Sequence, residues 1–159
     1  MNEIQESIRD YLQVQRWDSF FTATFTPLEE DYTRMSTGQR MLLRPAVRYS
    51  HTAIDKVINT LCEPRLRPTK LFVAAEQHYL GGWHCHGLME YPRRESGEVF
   101  HDDDMLGFQR NNLSKLGYNK VDIVNDMNAC SVYLSKYLVK DDWHGDWKMT
   151  GRPKFWQGE

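Results

Sequence analysis

The chain has 159 residues, 40% of them hydrophobic and 13% aromatic, enough for one domain around one core. Twenty basic against 22 acidic residues give a formal net charge of -2 and a pI near 6.3, which is not the balance of a bulk electrostatic nucleic-acid binder. Three cysteines (Cys62, Cys85, Cys130) form an odd set without Cys-x-x-Cys spacing, no apolar run reaches membrane length, and the first residues lack a secretory pattern, so the expectation is a soluble, cytoplasmic protein with no membrane association.

Residues 3–15 place Ile4, Ile8, Tyr11 and Leu12 at helical spacing. Phe20-Phe21-Thr22-Ala23-Thr24-Phe25-Thr26 alternates, is rich in aromatic and β-branched residues, and stops at Pro27, which predicts a strand. Thr22, Thr24 and Thr26 share one face of it. Residues 27–44 hold few apolar side chains and predict a loop. Val47, Ile54, Val57, Ile58 and Leu61 predict a helix over 45–62 with Pro45 near its start. Pro64 and Pro68 bracket a linker into a strand over 70–77, built on Leu71-Phe72-Val73-Ala74-Ala75.

Tyr79-Leu80-Gly81-Gly82 then turns the chain into a second strand carrying Trp83-His84-Cys85-His86 and Leu88-Met89. Side chains i and i+2 of a strand share a face, so His84 and His86 project together while Cys85 points into the buried face. Paired as a hairpin spanning 70–91, the strands bring Glu76 opposite or diagonal to His84. Two imidazoles and one carboxylate on one face make a site for a divalent metal with positions open to water or substrate. The mixed donor set points to Mg2+ or Mn2+. The plain alternative is a surface His-x-His that meets only solvent or a neighbouring acid. His78, at the end of the hairpin, is a further candidate ligand; His51 and His101 read as helix-surface residues, and His144 belongs to the tail.

Residues 91–97 predict a loop exposing Arg93 and Arg94. Residues 102–116 predict a helix with acids in its first turn, Lys115 in its last and Gly117 as a stop. An alternating strand follows over 118–124, then a helix over 128–140 with Asn128 as its N-cap and Val132, Leu134, Leu138 and Val139 apolar. That helix contains Tyr-x-x-Lys twice, as Tyr133/Lys136 and Tyr137/Lys140, and tyrosines four apart lie on one helical face. Alone, such a pair reads as packing. The tail, with Trp143, Trp147, Phe155 and Trp156, reads as cover for the core. The series helix, strand, helix, strand, strand, helix, strand, helix closes as an α+β domain: an antiparallel β-sheet with packed helices.

Three of these segments, in this order, resemble the motifs of the HUH endonucleases. They are the threonine-bearing strand over 20–26, His84-Cys85-His86 with Glu76 upstream, and the tandem Tyr-x-x-Lys helix. The likeness spans residues 20–140 and is greatest to the rolling-circle replication initiators of small single-stranded DNA phages, which use two tyrosines. Cys85 departs from the pattern, since the family more often has Leu, Phe or Val there; a free Cys packs as a small hydrophobe.

The resemblance implies a ferredoxin-like, RRM-like sheet fold over residues 1–159 with the tyrosine helix beside the metal hairpin. It implies a metal-dependent nickase and strand-transferase that starts rolling-circle replication on single-stranded DNA at an origin. Tyr137 and Tyr133 are its nucleophiles, forming a 5′-phosphotyrosine adduct, and Lys140 and Lys136 support them. Asp141 follows Tyr137-Leu138-Val139-Lys140 as an acid follows the lysine in single-tyrosine viral initiators, which favours Tyr137 for the first attack. Arg44, Arg48, Arg93, Arg94 and Trp83 are the candidate DNA contacts, Trp83 by stacking or else by packing on the core. No Gly-x-x-x-x-Gly-Lys-[Ser/Thr] run is present, so a helicase, like the polymerase, is a host or separate partner. Two other classes stay open: a transposase or mobilisation relaxase with the same chemistry, and a metal-containing nucleic-acid-binding module without catalysis.

Overall fold

A computed structural model describes residues 3–25, 36, 49–62, 67–77, 83–92, 102–124 and 147–151. Among them the chain runs α1 (Glu3–Gln13), β1 (Ser19–Thr24), α2 (Ser50–Leu61), β2 (Lys70–Gln77), β3 (Trp83–Glu90), α3 (Asp102–Leu113), β4 (Asn119–Ile123) and β5 (Trp147–Gly151). The five strands form one antiparallel sheet in the order β4-β1-β3-β2-β5. The architecture is α+β, with helices packed on an antiparallel sheet. No helix among the described residues is long and apolar enough to cross a membrane.

Period-two alternation sorts the side chains between the two faces. Phe21 and Ala23 of β1, Leu71, Val73 and Ala75 of β2, Cys85 and Met89 of β3, and Val121 of β4 pack beneath α2 and α3. From α2 they meet Ala53, Ile54, Val57, Ile58 and Leu61, at the i, i+3, i+4 spacing that made this helix readable. Each fully buried large side chain, such as Phe21 or Leu71, contributes about 1.5–3 kcal/mol. On the other face Phe72, Ala74 and Leu88 pack under Leu12 of α1 and under Trp17, with Ile8, Tyr11, Phe20 and Met149 at the margin.

Gly87, in the central strand, sits directly between Phe21 and Val73 in register. A Cβ there would run into the Phe21 ring and the Phe72 carbonyl, so the ring lies flat against bare backbone. Gly117, at φ +149°, lets the chain after α3 pass close to the Thr24 carbonyl before β4 begins. Fully buried Gln109 of α3 accepts hydrogen bonds from Ser19 Oγ (2.8 Å) and Tyr91 Oη (2.9 Å), tying α3 to the start of β1 and the end of β3 at one end of the sheet.

Several boundaries differ from those read in the sequence. α1 ends at Gln13 because the Leu12 carbonyl is taken by the Gln15 amide (3.3 Å) and the Trp17 indole (2.9 Å). α2 begins at Ser50, not near Pro45, because Tyr49 is extended at φ -120°, ψ 145°. α3 ends at Leu113, so Lys115 lies in the turn beyond it and Arg110 is the basic residue of its last turn. Trp147–Gly151 of the tail is an edge strand paired to β2 instead of a simple cover. The helix expected over 128–140 lies outside the described residues, with Tyr133, Lys136, Tyr137 and Lys140.

Candidate metal centre

β3 is the middle strand, held by β1 on one side and β2 on the other. Its pairing with β2 sets Glu76 directly opposite His84, and Ala74 opposite His86. Both histidines and the carboxylate therefore stand on one face, as alternation required. His86 Nε2 lies 2.9 Å from Glu76 Oε2, and His84 Nε2 lies 3.4 Å from the same oxygen. The two imidazoles meet edge to face with centroids 4.8 Å apart. One ligand atom from each of the three residues fits within a 4.8 Å span.

This donor set fits a divalent ion. Ligands bound cis at about 2.0–2.2 Å stand about 3 Å from one another, and the short separations here already match. Because both contacts to Glu76 are already short, the wider part of the 4.8 Å span lies between the two histidines, and a turn of the more exposed His84 ring would narrow it. The identity of the ion is not fixed by two imidazoles and a carboxylate, which suit several divalent metals.

Burial is graded across the group. The His86 side chain is 5% exposed, His84 19% and Glu76 26%. His86 also has a partner at its other nitrogen, Thr22 Oγ1 of β1, 3.2 Å from Nδ1. Thr22 is opposite His86 in the β1–β3 register, and Thr24 is opposite His84. The sequence put both threonines on one face but gave no sign that one reaches an imidazole. The only available signal was the shared alternation of two distant strands.

Trp83 belongs to the opposite face, where it packs partly buried against the main core cluster. Packing on that core is the contact its position gives it. Cys85 is fully buried beside it, and burial pushes its thiol far above the usual range. Exposed Cys62 is also raised by partial burial, and both are free thiols. His51 lies exposed on α2 and stacks on Tyr49 at 5.5 Å, a surface residue as expected.

Arg44, Arg48, Arg93, Arg94, His78, His101 and His144 lie outside the described residues, as do both Tyr-x-x-Lys pairs. A cation that the sequence did not single out, Lys120 of β4, stands opposite Thr22 on the metal face and is 70% exposed. At the far end of the same face, Lys70 and Glu90 form a buried ion pair (3.4 Å), with the Lys70 ammonium 4.7 Å from the Trp17 ring centroid. Neither a family model, a curated protein nor a solved structure matches the chain, so the site's own geometry carries the functional argument.

Proposed function

We propose that the protein is a metal-dependent endonuclease and strand-transferase of the HUH type, acting on single-stranded DNA to start rolling-circle replication. The observation that carries this is the convergence of Glu76, His84 and His86 on one face of the central hairpin. The sheet supports it as well. Its described elements from β1 to β4 alternate as β-α-β-β-α-β with the strand order β4-β1-β3-β2, an order consistent with the ferredoxin-like arrangement that this reading expects.

Glu76, His84 and His86 would hold a divalent ion, which when bound would supply Lewis acidity toward the scissile phosphate. Glu76 provides the anionic donor, and the histidines provide neutral ones that leave part of the ion's charge for the substrate. The phenol oxygen of Tyr137, or of Tyr133, bonds to phosphorus as the bond to the 3′-oxygen breaks. The phenol proton leaves to solvent and the freed 3′-oxygen takes one up, leaving a 5′-phosphotyrosine. A phenol with a pKa near 10 is a weak nucleophile at neutral pH, and Lys140 or Lys136, each three residues beyond a tyrosine in the sequence, would offset the developing negative charge. Because the ester energy stays in the tyrosine linkage, attack by a 3′-hydroxyl rejoins strands without a nucleotide cofactor.

The test is incubation with short labelled single-stranded oligonucleotides and Mn2+. A protein–DNA adduct that survives denaturation is expected, and it should vanish with EDTA. A chain that binds Mn2+ and oligonucleotides yet gives no adduct across a randomised pool would instead be a non-catalytic binding module.

A further inference from the structure

We infer that Thr22 is a positioning residue for the metal: its hydroxyl fixes the His86 ring so that Nε2 is the ligating nitrogen. The inference rests on the metal-binding role of Glu76, His84 and His86 given above. Three observations converge on it. Thr22 Oγ1 is 3.2 Å from His86 Nδ1, on the side of the ring away from Glu76. His86 Nε2 is the nitrogen turned to Glu76, at 2.9 Å. The His86 side chain is only 5% exposed, so water is a poor substitute for either contact.

An imidazole that ligates through Nε2 must carry its proton on Nδ1, and a buried Nδ1–H needs an acceptor. The threonine oxygen is that acceptor. Before the metal arrives, Nε2–H donates to Glu76 and the lone pair at Nδ1 accepts from the Thr22 hydroxyl. A hydroxyl rotor serves both arrangements without moving a heavy atom, which neither a methyl nor a carboxylate does.

The site is consequently asymmetric. Thr24 stands to His84 in register as Thr22 stands to His86, yet among the described residues its side chain makes no hydrogen bond. His84 is also more exposed, at 19%. His86 is therefore the pre-oriented anchor, and His84 adjusts when the ion binds.

The experiment is Mn2+ titration calorimetry on the full chain, comparing wild type with Thr22→Val, Thr22→Ala, Thr22→Ser and Thr24→Val, each first melted in EDTA to confirm a folded state. Valine keeps the branched shape that suits a strand and removes only the hydroxyl. Loss of an orienting partner costs about 10–100-fold in metal affinity, and that loss is expected for Thr22→Val and Thr22→Ala. Thr22→Ser should restore binding to within about threefold of wild type, and Thr24→Val should match wild type to the same margin, both well short of that loss. Wild-type affinity in folded Thr22→Val and Thr22→Ala would overturn the role of Thr22 while leaving the metal site standing. An equal loss in Thr24→Val would also overturn it. A wild-type chain that binds no Mn2+ would defeat the metal site itself, and this inference with it.

Discussion

Glu76→Gln separates a metal site from a mere cluster of polar side chains. Glutamine keeps the length and branching of the side chain and its amide oxygen can still meet His86 Nε2, but it lacks the negative charge. In the wild type, Mn2+ at one hundred times its dissociation constant adds about 2.7 kcal/mol to the stability of the folded chain. For a chain of this size each kcal/mol raises the melting midpoint by about 2–4 °C, so a rise of about 5–11 °C is expected. Losing the anionic donor weakens binding at least ~100-fold, the upper end for loss of a supporting partner. At the same Mn2+ concentration that leaves about 0.4 kcal/mol, or about 1–2 °C. The midpoint in EDTA should move little, because the Glu76 side chain is 26% exposed and partly exposed ion pairs contribute about 0–1 kcal/mol. Differential scanning calorimetry with and without Mn2+ makes the comparison. Equal metal-induced shifts in wild type and Glu76→Gln would refute the assignment of Glu76 as a ligand.

Tyr137→Phe should greatly reduce the first covalent adduct, whereas Tyr133→Phe should spare it and impair strand transfer by the attached protein; gel analysis of labelled oligonucleotides distinguishes them, and the reverse pattern would exchange their roles. Single-stranded or extruded DNA should be cut and intact linear duplex should not, with binding that weakens as salt rises because Lys and Arg contacts to phosphate release counterions; equal cleavage of relaxed duplex would contradict this. Gly87→Ala should destabilise the fold by about 1–3 kcal/mol in urea unfolding, since its methyl must displace both the Phe21 ring and the Phe72 carbonyl; an unchanged midpoint would refute the close packing at this position.

How much of this was legible in the sequence depended on the range of the interaction that sets each feature. β2 and β3 were readable because alternation and the flanking Gly and Pro residues are local. Alternation alone put His84 and His86 on one face and Cys85 on the other, where it is fully buried. Whether Glu76 faced His84 directly or diagonally was not readable, because register follows from turn geometry and the whole apolar pattern of both strands. The early end of α1 depends on the Trp17 indole folding back on the Leu12 carbonyl, which helical periodicity cannot see. β5 was missed for a related reason. Trp147–Gly151 is too short to display alternation, and it is a strand because the open edge of β2 offers it partners from Lys70 to Ala74. The hydrogen bond from Thr22 to His86 joins residues 64 apart, and no local pattern reports that distance.

The position of the donor group follows from how one sheet face is shared out. Lys70 and Glu90 occupy one end of it, paired and buried beside Trp17. Phe72, Ala74 and Leu88 fill the middle, under Leu12 of α1. Glu76, His84 and His86 stand at the other end, past the residues that α1 covers. Pairing at the first end is what makes burial tolerable there, since removing one partner of a buried ion pair costs about 3–5 kcal/mol. At the second end burial falls in steps from His86 to His84 to Glu76. That gradient suits the proposed site, which would hold an ion and still admit a substrate. The least exposed of the three, His86, is braced by Thr22. Glu76, the carboxylate, is the most exposed of the three. Among the described residues the accessible flank is therefore the one at Glu76 and His84.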